Sequence, residues 1–160
     1  VNNMSFSKKQ FARWNTTATR QKAKEHFEAQ GFTNVLIYET EDYGADGEAI
    51  DPMGKPCLLE MEVVWKKGWN SVSNFPYRTV LFFSRYAKAK HTQLPKLRET
   101  PVYHLQMSQL NQNVGFIAEW MTIRAYGVET SIPTDRGNES NIELSVEFIE
   151  MVDVQIGDSV

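Results

Sequence analysis

The chain has to reverse direction at residues 51–54, and that reversal constrains the fold more than any other feature. Asp51-Pro52-Met53-Gly54 joins a side chain that bonds its own backbone, a ring with fixed φ, and a glycine. β-prone runs flank it, a short one over residues 46–50 and a longer apolar one over Pro56–Val64, so the segment predicts a β-hairpin. Side chains alternate along a strand, which puts Glu60 and Glu62 on one face and Leu59, Met61, Val63 and Trp65 on the other. The hairpin also brings Asp46, fourteen positions before Glu60, toward that acidic pair. Glu48 shares the face of Asp46 on a regular strand, where an exposed strand residue is expected before a further ligand.

Three carboxylates converging on one point repel one another unless a cation lies between them. Hard divalent ions such as Mg²⁺ or Mn²⁺ favour all-oxygen ligands. A metal held by Asp46, Glu60 and Glu62 can activate water and neutralise charge on a transferred phosphoryl group. Other common chemistries leave no trace. His26, His91 and His104 follow no metal-ligand spacing, and no P-loop, glycine-rich dinucleotide fingerprint, nucleophile elbow or Cys-His pairing is present. The single cysteine, Cys57, falls in a predicted core strand and can form neither a disulfide nor a structural zinc site alone.

At 160 residues and 41% hydrophobic content the chain suits a single domain, with a main body over about 7–125 and an acidic β-rich extension over about 126–160. No apolar run matches a membrane span and no signal peptide is evident, so a cytoplasmic, intracellular protein without a membrane partner is expected. The net charge of −3 excludes a simple polycation, but it hides an asymmetry. Residues 1–24 carry six Lys or Arg and no acid, and residues 65–98 carry eight, again with no acid. Such segments beside a carboxylate hairpin supply walls for phosphate, with Lys66, Lys67, Arg78, Arg85 and Lys88 as candidate backbone contacts. The aromatics Trp65, Trp69, Phe75 and Tyr77 interleave with these cations. Core packing is expected for Trp65, and Trp69, beside Gly68, is the candidate for an exposed stacking residue.

A helix is expected from a capping box at Ser7-Lys8-Lys9-Gln10 to Gln30, open to a split at Asn15-Thr16-Thr17, with Phe11, Ala18, Ala23 and Phe27 as its buried stripe. Further strands are expected over residues 32–39, 78–83, 102–107, 114–122, 128–132 and 142–149. The order is helix, hairpin, then more strands, an α/β or α+β domain.

These residues carry a resemblance. Asp46, the Asp-Pro-x-Gly turn and the acidic-x-acidic pair Glu60-Met61-Glu62, behind a helix and a strand, resemble the PD-(D/E)XK nuclease superfamily. Gly44-Ala45-Asp46 with the turn is similar to its Holliday-junction-resolvase-like branch. The resemblance implies a restriction-endonuclease-like αβββ core with a central mixed sheet and extra C-terminal strands. It also implies Mg²⁺-dependent hydrolysis of DNA phosphodiesters, with Asp46 and Glu60 as metal ligands. Glu62 stands where the superfamily usually has Lys, a substitution that a few of its restriction endonucleases share. Lys66 lies roughly 13 Å along an extended strand from Glu62 at ~3.3 Å per residue, so it does not simply replace that Lys. Arg85 and Lys88 are the alternative cations, Lys88 being the one assigned to catalysis. The DNA's form, whether duplex, branched or single-stranded, stays open, and a homodimer would suit a cutter of both strands. Two other readings stand beside the nuclease: a non-catalytic nucleic-acid-binding or regulatory descendant of the fold, and a protein-interaction domain with an exposed apolar patch over residues 114–121.

Overall fold

The computed structural model describes residues 15–39, 45–83, 100–135 and 137–154. The expected capping box at residues 7–10, together with Phe11, Arg85, Lys88 and His91, lies outside them.

Helix α1, Thr17–Ala29, begins where poor helix propensity suggested a break, because Thr16 caps it by accepting the Thr19 N–H at 3.1 Å. Its buried side chains are Thr19, Ala23, His26 and Phe27, spaced as one helical face. Ala23 and Phe27 were expected there, whereas Ala18 is exposed and Thr19 and His26 complete the stripe. His26 sits fully buried with Nε2 2.7 Å from the Gln112 carbonyl, and desolvation lowers its pKa, which favours the neutral ring. The ring lies against Gly115, where a Cβ would come within 2.9 Å of the Gln106 carbonyl and 3.0 Å of His26 Cε1.

Among the described residues nine strands follow: β1 Thr33–Ile37, β2 Gly47–Ile50, β3 Pro56–Val64, β4 Thr79–Phe83, β5 Val102–Ser108, β6 Val114–Glu119, β7 Val128–Thr134, β8 Gly137–Ser145 and β9 Glu150–Asp153. A second helix, α2, spans Trp120–Tyr126. Six strands form a mixed sheet in the order β1-β2-β3-β5-β6-β9, in which only β3 and β5 pair in parallel. The other three form an antiparallel sheet in the order β4-β8-β7.

The hairpin follows its sequence closely. Gly54 adopts φ 84°, and the Asp51 carboxylate accepts the Met53 and Lys55 N–H groups at 2.9 Å each and the Tyr103 hydroxyl at 3.0 Å. Burial alone would raise the Asp51 pKa, but these donors outweigh it and hold the carboxyl below its ordinary value.

The strand expected over residues 114–122 stops at Glu119. Trp120 and Ile123, three apart and both buried, need a helical spacing to face one core. The strand expected over 142–149 is likewise broken: β8 ends at Ser145, a 3₁₀ turn spans Val146–Phe148, and β9 then joins the other sheet.

Strand pleating divides the core into two. Leu59 and Val63 of β3 and Leu105 and Met107 of β5 pack with Ala23, Phe27 and Phe32 on the α1 side. Leu58 and Val64 face the other way, toward a cluster of Trp69, Val80, Phe82, Phe116, Trp120 and Leu144 beneath the smaller sheet. Among the described residues, no helix is long and apolar enough to cross a membrane.

Candidate functional site

A strand buried on both faces should read as continuously apolar, yet β3 and β5 break that rule at matched positions. Glu60 pairs in register with His104 and Glu62 with Gln106, so four polar side chains stand together on the face turned from α1. Gln106 is 1% exposed; its Nε2 donates to the Leu81 carbonyl at 2.9 Å, while its Oε1 has no hydrogen-bond partner. The His104 ring lies 5.7 Å, centroid to centroid, from both Phe82 and Trp120.

Asp46 enters this row from the edge. Its N–H donates to the Leu59 carbonyl at 2.9 Å, and its carboxylate accepts the Met61 N–H at 2.9 Å. The side chain thus continues the β2–β3 ladder and is aligned by the backbone it bonds.

Electrostatics tie Asp46 to the second acid of the pair. Burial pushes the Glu62 carboxyl up to about 7, the Asp46 charge adds to the rise, and Lys66 and a hydrogen bond from Gln106 oppose it. Lys66 is itself lowered by burial and raised by Glu62. The extended-strand spacing between Glu62 and Lys66 holds only as far as Val64. The strand ends at Val64 and the chain turns, with the Trp69 N–H bonded to the Lys66 carbonyl at 3.0 Å, so the ammonium comes under the influence of Glu62. Lys66 Nζ also lies 5.7 Å from the centre of the Tyr77 ring.

Glu62 thus feels the charges of Asp46 and Lys66 and pairs in register with Gln106, and Glu60 stands on the same strand face beside His104. Glu48 is exposed, as expected. Among the described residues, no group of three or more His, Cys, Asp or Glu side chains is placed to hold a metal ion. Asp46, bonded to the Met61 N–H, and Glu62, whose carboxyl feels the Asp46 charge, are the two acids that the strands set near each other, and carboxylate oxygens suit a hard divalent cation. Cys57 offers no alternative nucleophile: it is buried, and desolvation pushes its thiol up to about 12.

The aromatic assignments are exchanged. Trp69 is 0% exposed, stacked on Phe116 at 5.7 Å and edge-on to Phe75 at 5.0 Å, so it is a core residue and not a stacking surface. Trp65, expected in the core, is 59% exposed, because strand alternation ceases to govern it beyond Val64. Lys67, Arg78 and Tyr77 are exposed nearby in sequence. The patch expected over residues 114–121 is absent, since Val114, Phe116, Ile117 and Ala118 are buried and only Met121 stands out.

Gln106 is the residue that sequence reasoning missed. Its signal was a period-two pair, His104 and Gln106, interrupting an apolar strand in phase with Glu60 and Glu62.

No family model, curated protein or solved structure matches the chain.

Proposed function

We propose that the chain is a divalent-metal-dependent nuclease acting on DNA phosphodiesters, built on a restriction-endonuclease-like core of the PD-(D/E)XK kind. The carrying observation is the Asp46–Glu62–Lys66 cluster at the C-terminal end of β3, where a meander of β1, β2 and β3 meets the parallel strand β5. Ligands of α/β sheets gather at such strand ends. Asp46 and Glu62 would hold Mg²⁺ or Mn²⁺, with water completing the shell and Glu60 on the same strand face. The metal, when bound, supplies Lewis acidity toward a phosphoryl oxygen. The chain's own residues do the rest. Asp46, aligned by the Met61 N–H, fixes where the cation stands; Lys66 places a positive charge beside the scissile phosphate; Lys67 and Arg78 meet the flanking phosphates. These cations favour a DNA partner, and a homodimer would suit a cutter of both strands.

Assay of the purified protein on plasmid and labelled oligonucleotides with Mg²⁺ or Mn²⁺ tests this reading. Cleavage should require the metal and disappear in Asp46→Ala and Glu62→Ala; cleavage at the wild-type rate by either variant refutes it. The dispersion of the three acids favours one second reading, a non-catalytic nucleic-acid-binding descendant of the same fold. It predicts DNA binding that persists in both variants, with no cleavage by any of the proteins.

A further inference from the structure

The segment between β3 and β4 is better ordered than a connection needs to be. The Asn74 Oδ1 accepts the N–H groups of Asn70 and Ser71 at 3.2 and 3.0 Å, and its Nδ2 donates to the Gly68 carbonyl at 2.9 Å and to Asn70 Oδ1 at 2.7 Å. Asn111 Nδ2 holds the Asn70 carbonyl at 2.9 Å, and Ser108 Oγ holds that of Trp69 at 2.5 Å. Trp69 is the segment's root in the core, and Phe75 packs edge-on against both Trp69 and Phe116, at 5.0 and 6.0 Å.

From this fixed base two large rings face solvent. Tyr77, 49% exposed, meets Phe75 edge-on at 5.9 Å, and Trp65 is 59% exposed at the other end of the segment. Cations accompany both. Lys66, next to Trp65, places its ammonium 5.7 Å from the Tyr77 ring centre, and Lys67 and Arg78 are exposed beside them. Residues 65–78 contain no Asp or Glu. Rings of this size left in water beside cations match the π-faces and phosphates of nucleotides whose bases are unpaired; a duplex hides those faces in its stack.

We propose that residues 65–78 form a docking platform for single-stranded nucleic acid, with Trp65 and Tyr77 stacking on unpaired bases and Lys67 and Arg78 holding the backbone. This rests on the nucleic-acid reading of the adjoining site and specifies its substrate as one with an unpaired stretch leading to Lys66. Pre-ordering by the Asn74 and Asn111 bonds lowers the cost of ordering the segment on binding.

The test is fluorescence anisotropy of the full chain with labelled oligodeoxythymidine and with a blunt duplex, in EDTA and low salt, so that binding is read apart from cleavage. Trp65→Ala and Tyr77→Ala should each weaken single-strand binding roughly 5- to 150-fold, the range of one lost base stack, with duplex binding unchanged. Trp65→Phe should restore most of the loss. Lys67→Gln and Arg78→Gln should each lower the salt slope for the single strand by about 0.7. The proposal is overturned if the wild type binds neither oligonucleotide, if it prefers the duplex, or if the ring variants leave single-strand binding unchanged. The nuclease reading fails separately: stacking-dependent binding without Mg²⁺-dependent cleavage leaves the platform standing, and cleavage indifferent to both rings removes the platform alone.

Discussion

Replacing Glu62 with Gln should make the metal-free protein more stable at neutral and alkaline pH. Desolvation, reinforced by Asp46, holds a carboxyl with an ordinary value of 4.5 back to about 7. The unfolded chain therefore releases a proton between those limits that the folded chain retains. A raised carboxylate pKa stabilises the fold only while the proton is held, so the wild type loses stability as pH rises from 4.5 through 7. At ~1.4 kcal/mol for each pH unit in that window, and with Glu62 partly open to solvent, the loss above pH 7 is at most ~3 kcal/mol. Glutamine mimics the protonated acid without titrating. Urea melts of wild type and Glu62→Gln should nearly coincide at pH 4.5 and separate progressively toward pH 8. With a slope of ~2 kcal/mol/M, the midpoints should then differ by at most about 1.5 M. Saturating Mg²⁺ should reverse the order, since a bound cation stabilises the ionised carboxylate and is held less well by the amide. A midpoint difference that stays constant from pH 4.5 to 8 would refute the reasoning, because it would mean that Glu62 is solvated and does not feel Asp46.

Four other substitutions probe the frame around the site. Asp51→Ala removes the acceptor for two backbone N–H groups and the Tyr103 hydroxyl, and should destabilise the fold at pH 7 by ~2–3 kcal/mol in urea melts; because the Asp51 pKa is lowered, the difference should shrink as pH falls through its folded value. Trp69→Ala should cost ~3–5 kcal/mol of stability, whereas Trp65→Ala should leave the thermal midpoint nearly unchanged, as a fully buried and a largely exposed ring demand. Gly115→Ala forces a methyl group to within 2.9 Å of the Gln106 carbonyl and against His26; calorimetry should show a loss of ~1–3 kcal/mol.

The hairpin was legible because its information is local: turn residues, an alternating strand and the phase of Glu60 and Glu62 all lie within residues 46–64. Tertiary context decided what the sequence did not carry. Trp120 and Ile123 became helical because they share a core with Trp69 and Phe82, although their stretch is rich in strand formers. The separation of Lys66 from Glu62 was not legible, because extended geometry governs only as far as Val64, where the strand ends. Trp65 and Trp69 exchanged roles for the same reason, and Trp69 became a core residue through Phe75 and Phe116, the latter far away in sequence. Gln106 joins the site through a parallel pairing that links residues more than forty positions apart, which a hairpin pattern cannot foresee.

The 3₁₀ turn at Val146–Phe148 sets the order in which the molecule can be completed. β8 lies between β4 and β7 in one sheet, and β9, only a few residues later, closes the edge of the other against β6. During synthesis, both sheets therefore wait for the same late stretch of chain. Until residues 137–153 are free to pair, β4 lacks its partner and β6 exposes an open edge, each a template for mispairing with another chain. Once they pair, a single segment fastens both sheets at once.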